Sequence, residues 1–368
     1  FPIMILLSKF ISDIQFNLEL LTVFYVFLSS VAFYIFLYSF EIENKWHRLI
    51  GAILYSFCGI ASNYVGQYMF HRFYCMVPFL FASIEYYRKT HKTFVFVFFV
   101  FVLMLSSYYF MFPTSLFLFA YCLFTIFYHS NDKVMLKSVI NFALPLIAAY
   151  LIGLALSAFL TFPGVLFVKD NSRLGANVIE TIFEYRVYLG YIVSFITAPL
   201  TLFSQYDYLF SVGFNGHLTW YSIYAGSGIV PFIFATLFIR NNRRITSLKV
   251  LLLLVNIFAL IPLLSSLMHG LSEPSFRWMF LVTFLHILSF IIILKDKDMY
   301  KNEILKGAIL YIVILCLVLG YGYIFKEFTF AQNPIHFNLI LGSFILFLAY
   351  IYFIRLNKIN FILIVLVL

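Results

Sequence analysis

Stretches of roughly twenty mainly apolar residues, the length a helix needs to cross a bilayer, recur along this chain from residue 17 to residue 354. Short loops between them hold nearly all of the charge. One such run is a weak signal, but its repetition leaves a membrane as the only solvent that suits the fold. Composition agrees: 64% of the 368 residues are apolar and 11% are charged, more apolar surface than a water-soluble domain can bury. The predicted fold is all-α, a polytopic integral membrane helical bundle forming a single transmembrane domain over residues 1–368.

The complete spans read from the pattern cover residues 17–40, 49–65, 73–87, 93–107, 114–128, 138–162, 221–239, 250–268, 277–294, 307–324 and 337–354, and a twelfth begins near Asn360. Several are short for a bilayer crossing, so they borrow flanking aromatic residues or thin the membrane locally. When alternate loops are assigned to opposite sides, 17 of the 24 Lys and Arg residues fall in one set and 7 in the other. The positive-inside rule makes the first set cytoplasmic. Residues 187–203 are apolar enough to be counted as a span, but a crossing there would split the downstream basic residues 2 inside to 10 outside instead of 10 to 2. That piece is therefore expected to lie on, or dip into, the outer face as an interfacial or re-entrant helix. Residues 163–220 then form one external segment, longer than a helix connection needs and of the kind that carries function.

Parity places residue 1 outside. With Phe1 rather than Met at the start, the expectation is a fragment that lacks at least one upstream span and part of an external loop. The net charge of +9 is spread in ones to fours between apolar spans, a positive-inside pattern and not a nucleic-acid surface. Cys58, Cys75, Cys122 and Cys316 lie in or beside the spans without metal-ligand spacing and read as small core residues. The 49 Phe and 27 Tyr have no reading beyond lipid-facing bulk and interfacial belts. No phosphate-binding loop, dinucleotide fingerprint, zincin or nucleophile-elbow motif stands in a suitable context.

Chemistry is sought among polar groups on the outer face. The densest cluster is MHGLSEPSFRW at 268–278, where a span ends, turns through Gly270 and Pro274 and re-enters with Arg277. At a helix start, the Arg277 guanidinium and free backbone N–H groups suit a phosphate, with His269 and Glu273 beside them. A snorkelling Arg with two solvated neighbours explains the same residues. GQYMFHRFY at 66–74 sets His71 and Arg72 among aromatics in another tight turn, fitting either a lipid phosphate or an interfacial anchor. Arg173, in VKDNSRLG, opens the long segment and suits a sugar or phosphate, or a plain loop. Glu180, Glu184 and Arg186 have the spacing of a supported surface helix. His286 is an ionisable residue within a span, flagged for function by default, though a neutral core His bonded to a neighbouring helix is the favoured account.

Several of these stretches together resemble the YfhO-like family of bacterial membrane proteins, in the GT-C class of polytopic glycosyltransferases. They are MHGLSEPSFRWMF, HRFYCMVPFLFASIE, SSYYFMF and WYSIYAGSGIV, and order and spacing agree over nearly all 368 residues. The resemblance implies a GT-C-like bundle that moves a sugar from a polyprenyl-phosphate donor to a cell-envelope acceptor, a teichoic-acid-like polymer, on the outer face of the bacterial plasma membrane. It implies no cofactor, with a divalent metal left open. It also implies a carboxylate base in the first external loop. Asp13 is the one acid left there, and it follows an apolar stretch lying on the membrane, so the catalytic Asp is expected upstream. Arg277, His269, Glu273, His71, Arg72 and Arg173 are the candidates for holding the donor.

The competing reading is a flippase or transporter of lipid-linked glycans, which normally needs polar groups near the bilayer midplane and paired broken helices. Here the mid-span inventory is little more than His286, and Pro145, Pro231 and Pro262 mark no repeat. The sidedness that both readings depend on is testable at the hairpin around Pro274. An impermeant label added to intact cells is expected to reach it, and labelling only after lysis would reverse the assignment.

Overall fold

A computed structural model describes residues 14–58, 61, 68–130, 136–169, 229–240, 243–268 and 278–324. Regular structure among them is helix alone: α1 Ile14–Ser39, α2 Lys45–Ser56, α3 Tyr68–Thr90, α4 Phe94–Ser106, α5 Tyr108–His129, α6 Leu136–Lys169, α7 Val230–Phe238, α8 Arg243–Leu260, α9 Pro262–Met268, α10 Phe280–Lys295 and α11 Lys301–Ile324. Each expected span up to residues 307–324 overlaps a helix, and residues 337–354 lie outside the described residues. By length and composition, Phe16–Ser39, Tyr108–His129 and Leu136–Phe159 can each cross a membrane.

Helix ends and hydropathy ends differ, because backbone hydrogen bonding does not stop where polarity begins. The helix over residues 73–87 starts five residues earlier, at Tyr68, which draws His71 and Arg72 into α3 and out of the tight turn expected for them. The span over 250–268 starts at Arg243 and breaks between α8 and α9 at Pro262, whose missing N–H and disfavoured preceding residue end a helix. Pro78, Pro113, Pro145 and Pro163 sit inside continuous helices. The helix through Pro163 runs on to Lys169, so the first residues of the expected external segment are helical; residues 170–228 lie outside the described set.

The chain groups into two compact units. In the first, α1 packs on α2 and α3, and α3 on α4. Its centre is a three-ring stack contributed by successive helices: Phe33 lies 4.6 Å from Tyr55, and Tyr55 lies 4.4 Å from Tyr74. All three rings are buried. The Tyr55 and Tyr74 phenols also exchange bonds with each other's backbone: the Tyr55 hydroxyl donates to the Tyr74 carbonyl at 3.1 Å, and the Tyr74 hydroxyl to the Tyr55 carbonyl. The first of these has a definite cause. Tyr74 is four residues before Pro78, so its carbonyl has no helical N–H to accept from, and Tyr55 fills that vacancy from α2. The second satisfies a carbonyl in the last turn of α2, where helical partners run out.

At the far end of α1 the chain turns through Glu41 with φ 72°. The Ile42 N–H donates to Leu37 O at 3.0 Å and the Glu41 N–H to Tyr38 O at 3.1 Å, the pair of bonds that closes a helix on a left-handed residue and normally calls for glycine. Glu41 is held instead by ion pairs to Arg88 at 2.7 Å and Lys89 at 3.3 Å, while Arg88 also binds the buried Glu85 at 2.9 Å. Burial alone would raise the Glu41 carboxyl, but the Arg88 hydrogen bond and charge, with Lys89, outweigh it and hold it at about 2. This junction makes α1 and α3 parallel and joins two loops that the charge count assigns to one side.

In the second unit, α10 is buried from Phe280 to Leu294 and packs on α7 and α8. His286 Nε2 lies 3.1 Å from Asn256 Oδ1. The Asn256 Nδ2 donates to Leu252 O, which leaves Oδ1 to accept the imidazole N–H. His286 is thus a core histidine bonded across helices. Helices α7 and α11 approach closely at Gly307, where a Cβ would lie 2.4 Å from the Pro231 carbonyl oxygen and 2.6 Å from the Ala235 nitrogen; only a hydrogen fits.

The Tyr55 to Pro78 relation gives a mutational signature. Tyr55→Phe leaves a buried carbonyl without a donor and should destabilise the fold by about 1–3 kcal/mol. In a Pro78→Ala background, where the helix supplies its own N–H to Tyr74 O, the same change should cost clearly less, as thermal unfolding of the purified variants would read.

Candidate functional site

The N-terminal turn of α3 gathers what the described residues offer of a polar site. The Arg72 Nη2 donates to the carbonyls of Leu105 and Ser106, each at 3.2 Å. These are the last carbonyls of α4, which a helix leaves without partners. Arg72 therefore closes α4 from a neighbouring helix and holds the junction with α5, where Phe110 N–H faces the Ser107 hydroxyl at 3.4 Å. Two of the stretches that carry the family resemblance, HRFY and SSYY, meet here through one side chain. The Arg72 Nε is buried and without a partner among the described residues.

His71 is 1% exposed. Its ring sits between Tyr25 of α1, with centroids 6.0 Å apart, and Tyr74, at 6.2 Å. Neither ring nitrogen hydrogen-bonds to a described residue, although a buried imidazole ordinarily finds a partner. Tyr25 belongs with Leu21 and Cys75 in one buried cluster, and the Cys75 thiol donates to Arg72 O at 3.1 Å. The result is a closely packed assembly with one imidazole and one guanidinium edge uncommitted, at the end of unit 1 opposite the Glu41 junction.

The sequence singled out His71 and Arg72 and missed Tyr25, whose place inside a long apolar span carries no signal of its own. Asp13, Arg173, His269, Glu273 and Arg277 lie outside the described residues. The flanks of the turn holding His269, Glu273 and Arg277 are described: Trp278 Nε1 donates to the Ser265 hydroxyl at 3.1 Å, and both Trp278 and Met268 are buried. The two arms of that turn are thus fastened together. Among the described residues no three His, Cys, Asp or Glu side chains converge to hold a metal, and the four cysteines are free thiols.

Compared with known proteins, the family described as bacterial membrane protein YfhO matches residues 1–368. No curated protein and no solved structure matches the chain.

The capping role of Arg72 separates by substitution. Arg72→Met should speed amide exchange over residues 103–110 and destabilise the fold by about 1–3 kcal/mol, the cost of orphaned buried acceptors. Arg72→Lys should recover only part of this, since an ammonium lacks the planar fork that spans two carbonyls.

Proposed function

The chain belongs to the YfhO family of bacterial membrane proteins, and on that premise we propose that it is a membrane glycosyltransferase working on the outer face of the plasma membrane. The donor is a polyprenyl-phosphate sugar and the acceptor a hydroxyl of a cell-envelope polymer such as a teichoic acid. In the transfer, the acceptor oxygen forms a bond to the anomeric carbon as the bond from that carbon to the phosphate oxygen breaks. The acceptor proton passes to a carboxylate, and polyprenyl phosphate leaves with the electron pair. Negative charge grows on the phosphate, so donors fixed in advance around it lower the barrier.

The observation that carries this reading is the uncommitted imidazole of His71 beside Arg72, at a helix end that the loop charges assign to the outer face. A buried ring with no hydrogen-bond partner among the described residues suits a group that gains its partner from a ligand. Arg277, His269, Glu273 and Arg173 are assigned to the same donor phosphate and sugar, on the chemistry of their turns. Asp13 is the one acid of the first external loop in this sequence, and the base itself is not assigned to a residue. The transport reading loses ground at His286, whose Nε2 is bonded to Asn256 of a neighbouring helix.

His71→Phe keeps an aromatic ring between Tyr25 and Tyr74 and removes both nitrogens. With protein levels and unfolding temperature unchanged, envelope glycosylation should fall by about tenfold or more, the worth of one hydrogen bond to a charged group. Arg277→Ala should do the same. Unchanged sugar content in either variant removes that residue from the site.

A further inference from the structure

At the Glu41 end of unit 1, two basic side chains stand in an aromatic frame that no carboxylate closes. The Arg48 guanidinium lies 4.9 Å from the ring centre of Tyr34 and 5.1 Å from that of Tyr38, both on α1. The Lys45 ammonium lies 5.8 Å from the Trp46 ring. Tyr38 is 66% and Trp46 59% exposed. Among the described residues the ion pairs at this end join Glu41 and Glu85 to Arg88 and Lys89 and use neither Lys45 nor Arg48. Glu43, the other acid of the loop, is exposed and forms no ion pair with them. The Arg48 Nε is buried and has no hydrogen-bond partner among the described residues.

We propose that α1 and α2 form a binding site for an anionic glycerophospholipid, with Arg48, framed by the Tyr34 and Tyr38 rings, and Lys45, one helical turn before it, holding the head-group phosphate. Stacking fixes the guanidinium by its faces and leaves its N–H edge for phosphate oxygens, a geometry an ammonium cannot reproduce. Tyrosine and tryptophan at this depth mark the level where head groups meet acyl chains. Along α1 from Tyr38 as far as Val23, the exposed side chains are Ile35, Phe27, Phe24 and Val23, an apolar track for an acyl chain running away from the basic pair. That track favours a lipid over a free phosphate, which has no use for it. The glycosyl-transfer reading is not needed for any of this.

The test uses the full chain purified in mild detergent and read by native mass spectrometry after titration with phosphatidylglycerol, with phosphatidylcholine as the zwitterionic control. Wild type should retain phosphatidylglycerol selectively, and an excess of inorganic phosphate should not displace it. Lys45→Ala with Arg48→Gln should weaken that retention by about thirtyfold, two basic groups each contributing what one does near an anionic lipid surface. Arg48→Lys should recover part of it. Lys92→Ala, at the same end and outside the frame, should leave it unchanged. Equal retention of both lipids by wild type, displacement by phosphate, or an equal loss in Lys92→Ala would overturn the proposal. Should the double variant unfold, Lys45→Ala alone, at an exposed position, serves the same comparison, and undiminished retention there would also overturn it.

Discussion

A backbone carbonyl in a membrane has no water to turn to, and the first unit is organised around that deficit. Helices end, and prolines interrupt them, at places where solvent cannot repair the missing bond. Three gaps of this kind in unit 1 are filled by a side chain from another helix. Tyr55 supplies the donor that Pro78 removes from α3, Tyr74 returns the service to the end of α2, and Arg72 closes α4. The second unit repeats the device where Lys249 of α8 donates to Ile239 O at 2.8 Å, at the end of α7. Because apolar surface alone gives helices little reason to associate in lipid, these bonds specify which helix sits beside which.

The helices were legible in the sequence because hydropathy reports where a chain can leave water, and that is a local property. The all-helical membrane fold and the family followed from it and from short motifs. What hydropathy does not report is the partner across a helix interface. Arg72 and Leu105 are 33 residues apart and Tyr55 and Tyr74 are 19 apart, so nothing in either neighbourhood announces the bond. The large tyrosine content, which had no reading beyond bulk and belts, acquires part of its reason here: a phenol stacks in an apolar core and still carries a donor. His286 shows the converse. An ionisable residue in a span draws attention, yet Asn256, 30 residues away, binds its Nε2 across the helix interface.

Arg72 links structure to chemistry in the proposed site. It is bound on one side to the end of α4 and presents a buried Nε on the other, so its position is fixed before any ligand arrives. A guanidinium positioned in this way loses little freedom on meeting an anion, which is what preorganised stabilisation requires. His71 is placed by the rings of Tyr25 and Tyr74 in the same manner. Both residues depend on α3 beginning at Tyr68, one turn before its hydropathy rises.

The enclosure of α10 bears on how the molecule is made. A helix apolar on every face inserts readily, but once folded none of the faces from Phe280 to Leu294 touches lipid. Its packing partners α7 and α8 precede it in the chain, so it can begin to exchange lipid neighbours for protein ones as soon as it is made. Until that exchange is complete, His286 can meet Asn256 of the earlier α8, so a polar latch is at hand to keep the two helices in register while the rest of the chain is still being synthesised.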